Sequence, residues 1–208
     1  GGGKMKKILF ATTNPAKVNR FSKKLLEQGI ELISLLDINQ KINIEENGTT
    51  AIENALIKAK SCYQAVGIPT MATDDTLFLE GVPTDKQPGV YVRRINGKRL
   101  SDEEEIEYYS NLVREYGKEG KLIAKYVYGL ALVTKDKEQT YTWNSKDFYI
   151  IDKPSEKLQT GYPLNSISVD IKSGKYFTDI APEEKDSSHD DRGAIDFIVK
   201  NSEEVIGN

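Results

Sequence analysis

A chain of 208 residues with 38% hydrophobic and 29% charged residues carries enough apolar material for a full core, which excludes a disordered composition. Lys and Arg number 29 against 32 Asp and Glu, a formal net charge of −3, so the basic excess of a non-specific nucleic-acid binder is missing, although a local cationic pocket stays possible. The lone Cys62 excludes an internal disulfide and no apolar run is long enough to span a bilayer as a helix, so the expected setting is the cytoplasm.

Gly1 to Lys4 read as a cloning scar ahead of Met5, and 5–208 as a single domain. Lys7 to Ala11 is a short apolar run, expected as a buried strand. Asn14 is a helix N-cap and Pro15 suits the first turn; Val18, Phe21, Leu25 and Leu26 recur at helical spacing up to Gly29. Glu31 to Leu36 reads as a second strand, so the chain opens as a parallel α/β unit. A second helix starts at Thr49 or Thr50, with Thr50 and Glu53 spaced as a capping box, and ends near Gly67; Cys62 lies on its apolar stripe as a small core residue. Thr70–Thr73 and Leu77–Leu79 read as two strand pieces around Asp74-Asp75, and 81–97 as a loop.

Ser101 and Glu104 form another capping box, opening a helix to about Tyr116. Leu122 to Thr134 reads as a central strand buried on both faces, and Thr140 to Ile151 as its antiparallel hairpin partner. Residues 161–187 are irregular with a turn at Ser173-Gly174, and Ala194 to Val199 is a short last helix. The expected fold class is α/β with a long mixed central sheet and flanking helices.

Three segments carry chemistry. Thr12, Thr13, Asn14 and Lys17 lie where a strand enters a helix: free N–H groups, hydroxyls and an ammonium together suit a phosphate, while plain capping by Asn14 explains them equally well. Lys58 follows Asn54 and Ala55 by one helical turn and can share their face, although an ordinary solvated helix face is the simpler account of Glu53 to Lys58 taken alone. Asp74 and Asp75, followed by Thr76, form an acidic pair flanked by apolar residues; neighbouring carboxylates hold Mg²⁺ or accept a proton from water, and an acidic turn is the alternative.

Taken in order, the segments resemble the inosine triphosphate pyrophosphatase family, house-cleaning enzymes for non-standard purine nucleotides. Thr12, Asn14 and Lys17 match its [ST]-x-N-x-x-K opening, and Glu46, Gly48 and Thr49 match E-x-G-T. Glu53-Asn54-Ala55 with Lys58-Ala59 matches E-N-A-x-x-K-A, and Asp74-Asp75-Thr76 matches the acidic pair and following hydroxyl. Pro88-Gly89-Val90-Tyr91 with Arg94 matches P-G-V-Y-S-A-R. Five ordered matches within the first half of the chain are far more specific than any one.

The second half departs from the pattern. Tyr162 fits the first aromatic of the family's base-holding segment, but Leu164 stands in place of the second aromatic and Asn165 in place of an aspartate. The family's Lys, three residues, Ser-His-Arg becomes Lys185 with Ser188-His189-Asp190-Asp191-Arg192, so a basic group is displaced whichever way the segment is aligned. His189 reads equally as a loop histidine or a ligand-binding one.

The resemblance implies two lobes with a cleft between them, a homodimer, and Mg²⁺-dependent cleavage of ITP, dITP or XTP to monophosphate and pyrophosphate. It implies Asp75 as general base and Glu46, Asp74 and Asp75 around the metal. Thr12, Thr13, Asn14, Lys17, Lys58, Thr76, Arg94, Tyr162, Asn165, Lys185, His189 and Arg192 are the implied substrate contacts. The rival expectations are the same chemistry on another base, and a nucleotide-binding paralogue without turnover.

Overall fold

The computed structural model describes residues 5–181 and 190–206, which divide into two compact units. The first contains the chain up to Asp75, Tyr128–Trp143 and Asp191 onward; the second contains Thr76–Val127 and Asn144–Asp190. Strands β3 (Thr70–Leu79) and β6 (Lys121–Val133) contribute residues to both.

The first unit begins with β1 (Lys6–Phe10), α1 (Pro15–Glu27) and β2 (Ile30–Ser34), the βαβ unit expected from the sequence. Strand β1 runs parallel to β2, from Lys6 opposite Ile30 to Phe10 opposite Ser34, and parallel to β3 on its other edge. The order continues β2-β1-β3-β6, with β7 (Glu138–Asn144) also on β6. Alternation sends Ile8, Phe10, Leu130 and Leu132 to one face, where they meet Phe21 and Leu25 of α1 and Ala194 and Ile198 of α4 (Arg192–Ile206). Leu9, Ala11, Ala131 and Val133 go to the other face, against Ala55, Ala59 and Cys62 of α2 (Ala51–Val66). That small-residue stripe lets α2 lie close. At Gly129 an added Cβ would stand 2.5 Å from the Ala51 carbonyl carbon.

Caps fix where these helices begin. The Asn14 side chain accepts from the Ala16 N–H and Pro15 occupies the first helical position. Thr50 caps α2 by accepting from the Glu53 N–H, while the Glu53 carboxylate takes the Thr49 N–H at 2.7 Å, with the Thr50 N–H a weaker partner. Gly67 ends α2 in the left-handed region, as its position predicts.

In the second unit, α3 (Asp102–Tyr116) opens with the complete Ser101–Glu104 capping box. Tyr109, Leu112 and Val113 pack on Leu77, Leu79, Leu122, Phe148 and Ile150. The first half of β6 pairs antiparallel with β8 (Phe148–Ile151), and β8 pairs antiparallel with β9 (Ser168–Asp170).

Several expectations change. The acidic pair does not interrupt two strand pieces: β3 runs unbroken through Asp74 and Asp75. The expected hairpin partner of β6 is two strands, β7 and β8, divided at 145–147. Strand β6 is buried on both faces only in its second half; its first half alternates. The last helix runs 15 residues rather than six or so, because Arg192, Gly193 and the stretch past Val199 continue the same helical path. Inside the expected 81–97 loop, β4 (Arg94–Ile95) pairs with β5 (Lys98–Arg99) across Asn96-Gly97, both at positive φ.

Candidate active site

In the first unit, three segments distant in sequence supply one charged cluster. Lys58, one turn past Asn54 on α2, donates to the Thr73 carbonyl at 2.6 Å. Its ammonium lies 3.5 Å from Asp74 Oδ1 and 3.1 Å from Glu46 Oε1, so it bridges two of the three carboxylates implied around a metal. Burial pushes the Asp74 carboxyl above the usual carboxylate range; Lys58 and then Lys17 pull it back, Glu46 pushes it up, and a hydrogen bond from Asn54 lowers it. Lys17, from the first turn of α1, is therefore within electrostatic reach of the pair that Lys58 holds.

The approach of the Glu46 segment to α2 depends on Gly48. Its N–H donates to the buried Asn54 Oδ1 at 2.8 Å, and a Cβ at Gly48 would fall 2.7 Å from that oxygen and from Glu53 Cβ. Thus Asn54 ties the Glu46–Thr50 loop to the helix that carries Lys58. The loop after β1 is organised likewise: the Asn14 N–H donates to Thr12 Oγ1 at 3.1 Å, and the Thr12 carbonyl accepts from Leu35 N–H. Thr13 is exposed and Lys17 half-buried.

Sequence reasoning missed Arg20. It lies three residues past Lys17, hence on the same side of α1. Its Nε and Nη2 donate to the two oxygens of Asp191 at 2.7 Å each, a bidentate fork, and Trp143 Nε1 donates to Asp191 Oδ1 at 3.0 Å. The guanidinium stands 4.4 Å from the Tyr128 ring centre. Burial pulls its pKa down, but the Asp191 hydrogen bonds override this and hold it above the ordinary value, with Tyr128 and Asp75 acting in the same direction. Asp191 is buried in this pair, which gives the aspartate at the displaced basic position a partner on α1. The helical spacing from Lys17 was the available signal.

Of the remaining expected residues, Thr76, Arg94, Tyr162 and Asn165 are in the second unit, Arg192 is in the first, and two lie outside the described ones. Thr76 Oγ1 donates to the Val127 carbonyl at 2.9 Å. Arg94, presented by the β4–β5 hairpin, lines a cavity of about 330 Å³ with Tyr91, Asn96 and Tyr108. Tyr162 is exposed, and Asn165 Nδ2 donates to Gln159 Oε1 at 2.9 Å. Leu164, standing where an aromatic was expected, is buried in the core with Tyr109 and Ile167. Arg192 is exposed on the first turn of α4, and Lys185 and His189 lie outside the described residues.

The second unit also holds a buried acid that the sequence did not reveal. Glu105 of α3 has its Oε2 3.2 Å from Arg93 Nε, yet accepts no hydrogen bond there because that N–H donates to the Leu100 carbonyl. Burial pushes its carboxyl up to about 7; Arg93 and Arg99 oppose this and Asp102 adds to it.

Among the described residues no three His, Cys, Asp or Glu side chains are grouped as a metal cage. The donor set around Lys58 is compatible with Mg²⁺ all the same, since this ion takes one or two carboxylates and completes its shell with water and phosphate oxygens. No helix is long and apolar enough to cross a membrane, among the described residues.

A parallel βαβ opening and a mixed central sheet, with a lysine-bridged acidic cluster in the first unit, define an α/β protein. Residues 8–199 match the Ham1 family, and the chain belongs to it. A dITP/XTP pyrophosphatase of Geobacillus kaustophilus is 28% identical over 207 residues, covering 98% of this chain and 97% of that one. One from Bacillus subtilis is 31% identical over 158 residues, covering 76% and 78%. Among solved structures, a HAM1 protein from Coxiella burnetii superposes with a TM-score of 0.76 at 23% identity, over 97% of this chain and 100% of that one, a likeness of fold. A nucleoside-triphosphatase / dITP/XTP pyrophosphatase from Mycobacterium abscessus gives a TM-score of 0.64 at 26% identity, over 97% and 100%.

Proposed function

We propose that this chain is a Mg²⁺-dependent nucleoside triphosphate pyrophosphatase that converts ITP, dITP or XTP to the monophosphate and pyrophosphate. The observation that carries the reading is the Lys58 ammonium held between Glu46 and Asp74, with Lys17 acting on the same aspartate. A triphosphate needs cations and hydrogen-bond donors, and the loop before α1 offers the hydroxyls of Thr12 and Thr13 and the Asn14 amide as donors. Bound Mg²⁺, held through Glu46, Asp74 and Asp75, would neutralise phosphate charge and orient the reacting oxygens.

Asp75 accepts a proton from water as that water's oxygen bonds to the α-phosphorus. The bond from the α-phosphorus to the α–β bridging oxygen breaks, and pyrophosphate leaves with the electron pair. Lys17 and Lys58 pair with phosphate oxygens, Lys58 exchanging a carboxylate for them. Thr76, Arg94, Tyr162, Asn165, Lys185, His189 and Arg192 are the further proposed substrate contacts. The reading also includes a homodimer and a cytoplasmic location, the latter in keeping with the single buried thiol of Cys62.

The test is pyrophosphate release across ITP, dITP, XTP, GTP and ATP, with Mg²⁺ and with chelator. Release from the first three that depends on added metal supports the reading; folded protein that releases none from any nucleotide contradicts it. The burial of Leu164 favours one variant of the reading: a base held without a second stacking ring, which the same panel detects as a preference for GTP or ATP.

A further inference from the structure

Arg93 follows the Pro88–Tyr91 stretch and has no part in the scheme above. Its Nη2 pairs with Asp102 Oδ1 at the first residue of α3, and its Nη1 donates to the Gly161 carbonyl at 3.4 Å. The other oxygen of Asp102 accepts from the Gly161 N–H at 3.0 Å. Two ion-paired side chains thus grip both backbone polar groups of one residue, 59 positions away from Asp102 in the chain.

Gly161 is a turn residue with φ +86°, and it directly precedes Tyr162. The turn is closed by its own bonds: Tyr162 N–H donates to the Gln159 carbonyl at 2.9 Å, Asn165 N–H to the Tyr162 carbonyl at 3.1 Å, and Asn165 Nδ2 to Gln159 Oε1. These bonds make 159–165 a compact unit, and Leu164 anchors its second half in the core with Tyr109. The attachment at Gly161 anchors its first half, because Asp102 belongs to the capped start of α3 and Arg93 Nε is fixed on the Leu100 carbonyl. Arg93 and Asp102 are both half-buried, and the Gly161 N–H, with Arg93 beside it, holds the Asp102 carboxyl below the usual carboxylate range.

We propose that the Arg93–Asp102 pair is a positioning device for nucleobase selection, fixing the Gly161–Asn165 turn and with it the pose of Tyr162 and Asn165. The inference rests on the functional reading above, which takes those two residues as base contacts. The device selects by restraint: a turn held in one pose presents the Tyr162 ring and the Asn165 amide at fixed angles, and a loosened turn accepts bases of differing edges.

The test uses Arg93→Lys, which keeps the charge but loses the guanidinium fork, and Asp102→Asn, which keeps an acceptor but loses the charge. Thermal melts confirm that each is folded. Backbone amide exchange at Gly161 and Tyr162 should quicken by about tenfold in both. For turnover, the KM of the best substrate should rise by about threefold or more with the loss falling on KM rather than kcat, and the spread of kcat/KM across bases should narrow. Exchange at the native rate in both folded variants overturns the proposal. So does a loosened turn with the base ranking and spread unaltered, or a kcat loss equal for every nucleotide. If the unaltered protein turns over no nucleotide, the functional reading falls by itself. The selection claim is then read from equilibrium binding of IMP, GMP and AMP, where an unaltered spread of affinities in both variants overturns it.

Discussion

Lys58 is the residue on which most depends, because three oxygens converge on one ammonium: the Thr73 carbonyl, Asp74 and Glu46. Lys58→Met keeps the aliphatic stem but leaves Asp74 desolvated without its nearest cation, so its carboxyl should rise further. We expect a loss in kcat/KM of about a hundredfold or more on the best nucleotide, since removing one charge-stabilising contact at a reacting centre costs roughly 3 kcal/mol. Loss below threefold would remove Lys58 from the phosphate site. Asp75→Asn, which changes one atom and no volume, should abolish turnover while leaving nucleotide binding, measured by calorimetry; unchanged turnover would end its role as base. Glu105 gives a stability test instead. Its folded carboxyl titrates near 7, above the ordinary value of 4.5 in the unfolded chain, so the unfolded state releases its proton first as pH rises. The contribution is whole below pH 4.5 and is lost on rising through about 7. Melting temperature should therefore fall across that window, and Glu105→Gln should flatten that part of the profile; identical profiles would place the charge elsewhere.

At the scale of elements, the legible features were those written in local chemistry. Asn14-Pro15, Thr50, Ser101–Glu104 and Gly67 set helix ends through hydrogen bonds a few residues long, and the structure has all four where the sequence places them. What was illegible depended on partners far along the chain. Asp74 and Asp75 look like a strand break by polarity, yet β3 continues through them because Lys58 and Asn54 of α2 meet the first of the pair. Gly193 lies inside α4, where the missing Cβ makes room for the Tyr141 hydroxyl; an added Cβ would stand 2.1 Å from it. The Asn96-Gly97 hairpin was readable from its dipeptide but is only two residues per strand. Packing of α2 on β6 leads to a further expectation. Gly129→Ala would press a methyl group on the Ala51 backbone, which cannot retreat as a flexible side chain does. A destabilisation of about 1–3 kcal/mol in denaturant melts is expected, and a neutral effect would contradict the close approach.

Across the whole molecule, the family was legible because its polar motifs occur in order, and Ham1 membership over residues 8–199 agrees with that order. The candidate site was legible in part. Lys17, Lys58, Glu46 and Asp74 form one electrostatic group in the first unit, whereas the Arg20–Asp191 fork joins residues 171 positions apart and no local pattern announces it. The departure at Asp191 thus reads differently once folded: the acid that seemed to spoil a basic motif is half of a buried pair. The most direct measurement of the central claim is pyrophosphate release from ITP by the intact chain, with Mg²⁺, with chelator, and with Asp75→Asn in parallel. The account expects pyrophosphate and IMP in equal amounts from the Mg²⁺ sample alone; folded protein that yields neither, or that releases single phosphates instead, would contradict it.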